Sequence, residues 1–144
     1  MPRAKIVVDK EGRFVGIRWN CPGCAAAGHD DGAHVLSVQW TPPDMERSPH
    51  AGMGIWRFNG DMERPTFRDS VLTRYGHYAN DGEKPGDCAC DFQQRYPGET
   101  PWPWPCMRCH SYVTDGRIQF LDDCTHPLRG QTVDLPELET GDDA

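Results

Sequence analysis

Long apolar runs are missing: no stretch of the 144 residues approaches the roughly 20 that a membrane-spanning helix needs. The opening Met1-Pro2-Arg3-Ala4-Lys5 leads into a strand-like segment instead of a signal-peptide core. The expectation is a cytoplasmic protein with no membrane partner. Apolar residues are scarce altogether, at 37% with a mean hydropathy of -0.72, whereas 15 glycines and 13 prolines call for many turns. A core this lean gains from an added cross-link such as a metal ion. Positive charge is short as well. With 15 Lys and Arg against 22 Asp and Glu the net charge is -7, which makes nucleic acid an unlikely partner on charge grounds. Arg57, Arg64, Arg68 and Arg74 form the one candidate basic stripe, but Asp61, Glu63 and Asp69 interleave with them, as on a solvated face. Several catalytic motifs are absent too: there is no G-x-S-x-G elbow, P-loop or H-E-x-x-H.

What is present is cysteine, seven in all, an odd count that in a reducing compartment suits thiols or metal ligands better than disulfides. Four of them form two Cys-x-x-Cys pairs, Cys21-Pro22-Gly23-Cys24 and Cys106-Met107-Arg108-Cys109, the spacing with which a short chain grips tetrahedral zinc. The expected metal set is Cys21, Cys24, Cys106 and Cys109, with His34 competing for the fourth place and His29 behind it. A redox role would need a helix after a strand in an α/β setting, which is missing. The 81 residues between the pairs exceed an ordinary zinc ribbon, yet a β scaffold can bring distant hairpin ends together. Cys88 and Cys90 either join Cys106 in a loop-stapling site or are free thiols. Pro105-Cys106-x-x-Cys109 also matches half of the zinc deaminase signature, but no histidine is followed two places later by glutamate.

Periodicity is almost entirely two, with frequent turn signals, so the expected fold is all-β: a small antiparallel, sandwich-like domain with a zinc knuckle and a long irregular loop. Strands are expected at 6–8 and 14–19 around the Asp9-Lys10-Glu11-Gly12 turn, then at 33–40, 55–58, 66–73 and 131–135. Residues 76–105 show little pattern beyond one candidate helical turn at 91–95 and the extended Pro101-Trp102-Pro103-Trp104-Pro105 run. The sharpest local signal is Asp115-Gly116, which suits a two-residue type I′ turn between alternating runs. That register pairs Val113 with Ile118 and Ser111 with Phe120, and it sends Cys109 and His110 to opposite faces. Residues 1–136 are expected to make one domain, and 137–144 an acidic disordered tail.

His110, Asp123 and His126 are the candidate catalytic residues. Two imidazoles and a carboxylate can hold a metal with an open water position, or serve as base and orienting acid. Their plainer role is a capped turn, with Asp123 accepting backbone N–H groups.

Trp56-x-Phe58-Asn59-Gly60, Pro65-Thr66-Phe67, Ser70-Val71, the run from Cys109-His110-Ser111 to Phe120-Leu121, Asp123-Cys124-Thr125-His126 and Gly130-Gln131-Thr132-Val133 resemble a family of small uncharacterised phage and prophage proteins, often labelled ammonia monooxygenase. The resemblance implies recurring polar positions at Cys21, Cys24, His34, Cys109, His110 and His126. The oxygenase label has no support in these residues, since a copper oxygenase of that kind is a membrane complex. The leading expectation is a phage-derived zinc-binding module that engages a host or phage protein. The alternatives are a zinc-dependent hydrolase using His110, Asp123 and His126, and a virion-associated structural protein.

Overall fold

The computed structural model describes residues 2–52, 54, 56–75, 78, 96–100 and 106–138. It is an antiparallel β protein, as the period-two pattern requires. β1 (Lys5–Val8) and β2 (Phe14–Asn20) form the first hairpin, and β3 (Ala33–Leu36) pairs with the other edge of β2. Asp9 closes the β1–β2 turn by accepting from the backbone N–H groups of Glu11 and Arg13. Between β2 and β3 lies a single helical turn, α1 (Pro22–Ala26), that the β pattern did not foreshadow. Pro22 at its first position gives up no helical hydrogen bond, and the Cys21 sulfur accepts from the Cys24 N–H at 3.5 Å.

β4 (Arg57–Phe58) pairs with β5 (Phe67–Arg68), and a four-stranded sheet follows in the order β6 (Val71–Tyr75), β7 (Met107–Thr114), β8 (Arg117–Phe120) and β9 (Thr132–Asp134). The β7–β8 register has Val113 opposite Ile118 and Ser111 opposite Phe120, as the Asp115-Gly116 turn demands. Both turn residues have positive φ, 52° and 78°, the geometry of a type I′ turn. The hairpin tip is tied down: Gly116 donates to Pro65 O and Asp115 to Thr66 Oγ1.

Two expectations need correction. The single strand anticipated at 66–73 is broken at Asp69, whose φ of 70° turns the chain between β5 and β6. The strand anticipated at 33–40 stops at Leu36, leaving an isolated bridge from Val38 to Trp56. Cys88, Cys90, the candidate turn at 91–95 and the Pro-Trp run lie outside the described residues, as do 139–144. Leu138 is buried and its N–H donates to Pro2 O.

Phe14, Ile17 and Trp19 of β2 share one apolar cluster with Val113, Ile118 and Phe120 of the larger sheet, joined by Phe58 and Phe67. Trp19 stacks obliquely on Phe67 with centroids 4.8 Å apart. Burial along β7 alternates strictly: Met107, Cys109, Ser111 and Val113 point into the core, while Arg108, His110, Tyr112 and Thr114 point away.

Candidate functional site

The alternation of β7 creates two chemically different sites back to back. On the buried face, Cys21 and Cys24 from the end of β2 and α1 meet His34 of β3 and Cys109 of β7. Cys21, Cys24 and His34 present donor atoms within 4.8 Å of one another. The Cys21 and Cys109 sulfurs are 3.7 Å apart, and the Cys24 sulfur is 3.3 Å from His34 Nε2. Two thiolates sharing one tetrahedral zinc at about 2.3 Å would lie roughly 3.8 Å apart, so this donor set fits the ion.

Electrostatics point the same way. The Cys109 and Cys24 thiols, hydrogen-bonded to Cys21, hold its thiol far below the ordinary range. Those same bonds to Cys21 and Cys24, together with burial, push Cys109 far up. Cys24 also moves up: its contact with Cys109 pulls downward but is outweighed by Cys21 and burial. Three thiols this close cannot all ionise alone, because each anion raises the next. A dication at their centre removes that conflict.

Cys106, the expected partner of Cys109, falls outside both groups of converging metal donors among the described residues. It sits one residue before β7, whereas Cys109 lies inside the strand with its side chain toward the core. Cys109 itself converges with Cys124 and His126 in a second group and reaches the first through its 3.7 Å contact with Cys21; in that second group Cys124 and His126 Nδ1 are hydrogen-bonded within the protein, while His126 Nε2 is buried without a partner. The Cys124 sulfur accepts from the His110 N–H and donates to the His110 carbonyl, both at 3.2 Å, and burial pushes its thiol up, which keeps that proton in place. His126 Nδ1 accepts from the Leu128 N–H at 3.2 Å, and burial lowers the pKa of its ring.

On the opposite, solvent-facing side of β7, His110 has two partners. With its proton on Nδ1 it donates to Asp123, at 3.1 Å from Oδ2 and 3.3 Å from Oδ1, and Nε2 accepts from the Ser70 hydroxyl at 2.9 Å. These distances are those of a nucleophile, a base and an orienting carboxylate in one line. Ser70 follows Asp69, the residue at positive φ, and its carbonyl accepts from Trp56 Nε1 at 3.2 Å. Backbone strain of this kind often gathers where a reactive side chain must be aimed.

Asp123 is delivered by the segment after β8, which is strapped to β7. Leu121 donates to His110 O, Thr125 donates to Arg108 O, and Arg108 donates back to Thr125 Oγ1. Of the three residues grouped from the sequence, the structure brings His110 and Asp123 into contact and leaves His126 apart from them. His126 is buried edge-on against Phe120, 4.5 Å between centroids, and His110, Asp123 and His126 do not converge as a metal set. Sequence reasoning did not single out Ser70, the residue that the structure sets against His110. The one local signal was the Asp69-Ser70 interruption of an otherwise strand-like run.

Residues 1–121 match the family described as bacterial ubiquitination-like system serine protease (BubE). The chain belongs to that family. No curated protein and no solved structure matches it. The BubE description names a serine protease where the motif resemblance had implied a zinc protein of unassigned role, and the matched span contains Ser70 and His110 while Asp123 follows two residues beyond its end. Among the described residues no helix is long and apolar enough to cross a membrane.

Proposed function

We propose that this chain is a serine protease that cleaves an amide or isopeptide bond made or matured by a bacterial ubiquitination-like system. The observation that carries the reading is the line from Ser70 Oγ to His110 Nε2, and from His110 Nδ1 to Asp123, at 2.9 and 3.1 Å. Ser70 Oγ attacks the scissile carbonyl carbon while His110 Nε2 takes the hydroxyl proton, and Asp123 holds the ring in the required tautomer. The proton passes from His110 to the leaving amine as the C–N bond breaks. Water then releases the acyl group from Ser70, with His110 again as base. The chain order Ser70, His110, Asp123 differs from the familiar protease orders, but such a triad is recognised by geometry and not by order.

We further propose that Cys21, Cys24, Cys109 and His34 hold one zinc ion. Four protein ligands make a closed, structural site, so the ion supplies a cross-link between the two larger sheets and no open position for chemistry. Cys109 and His110 are consecutive, so the strand anchored at the metal face carries the catalytic base on its other face.

Labelling with a serine-directed fluorophosphonate, followed by peptide mass mapping, tests the protease reading. Ser70 should carry the label, and Ser70→Ala and His110→Ala should abolish it without changing the melting temperature. Undiminished labelling of Ser70→Ala would refute the assignment. For zinc, elemental analysis should give about one equivalent per chain, and cobalt exchange should produce thiolate charge-transfer absorption.

A further inference from the structure

Two exposed apolar side chains flank the Ser70–His110 pair on the outer face of the four-stranded sheet. Leu72 stands directly across from His110 in the β6–β7 register and is 47% exposed. Tyr112 follows His110 by two residues on the same face and is 43% exposed. Carrying the register one residue past Val71–Ser111 puts Ser70 opposite Tyr112. Leucine and tyrosine thus occupy the two positions diagonal to each other around the reacting hydroxyl and its base.

A single exposed leucine is ordinary. These two are set apart by their position. A polypeptide whose carbonyl carbon comes within about 3–3.5 Å of Ser70 Oγ has to lie across this part of the sheet, and in doing so it covers Leu72 and Tyr112. The covering group is therefore the substrate itself, at the residues beside the scissile bond. Apolar surface there favours an apolar side chain and disfavours a charged one, which would lose water against leucine and tyrosine without gaining a partner.

We propose that Leu72 and Tyr112 form an apolar subsite that selects an aliphatic or aromatic side chain next to the scissile bond of the polypeptide substrate. The proposal rests on the protease reading of Ser70. A contact change of one methylene in an apolar subsite alters kcat/KM by about 10- to 200-fold, so discrimination between leucine-like and glutamate-like side chains should reach at least about tenfold.

The test uses three reagents on the full chain. Methanesulfonyl fluoride, too small to reach either side chain, reports on the reactivity of Ser70 alone. Two diphenyl phosphonates, one with an isobutyl and one with a carboxyethyl side chain, place phosphorus where the carbonyl carbon would sit, and Ser70 Oγ displaces phenoxide from it. The isobutyl reagent should react at least about tenfold faster than the carboxyethyl one. In Leu72→Ser combined with Tyr112→Ser this ratio should fall to near unity, with the methanesulfonyl fluoride rate unchanged. Leu72→Lys should turn the preference toward the carboxyethyl reagent, a gain that loss of folding cannot mimic. Equal rates in the unmodified protein, or a preference that survives the double substitution, would overturn the subsite. If methanesulfonyl fluoride leaves Ser70 unmodified, the protease reading fails and the subsite with it.

Discussion

Gly23 allows the sharpest quantitative check on how the buried face is packed. A Cβ built there would lie 2.4 Å from His126 Cε1 and Nε2 and 2.8 Å from Nδ1, well inside contact distance. The ring has little freedom to retreat: it is 4% exposed, its Nδ1 holds the Leu128 N–H, and Phe120 meets it at 82°. Forcing a methyl into such a place costs about 1–3 kcal/mol. Against this, alanine is easier than glycine to order in α1, by about 0.5–1 kcal/mol. Gly23→Ala should therefore destabilise by roughly 0–2.5 kcal/mol net, at most a fall of roughly 10 °C in melting temperature for a chain of this size. His126→Ala removes the ring, and it will have its own cost of about 1–3 kcal/mol because the Leu128 N–H loses its acceptor. In the double variant the new methyl has room, so the combined loss should be smaller than the sum by about 1–3 kcal/mol. Thermal and urea unfolding of the four proteins measure that coupling. A clearly stabilising Gly23→Ala, or strict additivity, would show that His126 does not rest on the knuckle and would undo the placement of that residue beside Gly23.

Replacing Cys21 and Cys24 together by serine should remove the bound zinc and lower stability by several kcal/mol, since metal binding in such sites is coupled to folding; elemental analysis and calorimetry on one preparation read both. Gly116→Val should cost about 1–3 kcal/mol, because a β-branched residue resists a φ of 78° and its Cβ would stand 3.2 Å from Arg64 Cα. An unchanged urea midpoint would contradict the turn. Cys124→Ser preserves a hydroxyl able to exchange hydrogen bonds with the His110 backbone, whereas Cys124→Val leaves that N–H unpaired at about 1–3 kcal/mol. Zinc content should stay near one equivalent in both, while Ser70 labelling slows markedly only in the valine variant; loss of metal from either would place Cys124 among the ligands. Asp123→Asn should slow labelling by up to about 10⁴-fold if the amide locks His110 in the wrong tautomer, with zinc and melting temperature unaffected.

The features that sequence alone determined are those controlled within a few residues. Alternating polarity around Asp115-Gly116 set the β7–β8 hairpin, since only one register satisfies the type I′ turn and the buried face together. That register already required Cys109 and His110 to part, which is why one strand carries the candidate metal ligand on one face and the Asp123-paired histidine on the other. The Cys21-x-x-Cys24 knuckle was equally legible, because the spacing of its thiols is local. The rest depended on contacts no short window contains. Cys109, and not Cys106, reaches Cys21 across 88 residues, a choice made by which side of β7 faces the core. Serine is too common to announce a nucleophile, and Ser70 becomes a candidate only because β6 pairs with β7 and brings its hydroxyl to His110, 40 residues away. The positive φ at Asp69 that frees Ser70 from the strand also ran against the local β pattern, so one of the places where local preference gave way is where the tertiary structure sets Ser70 against His110.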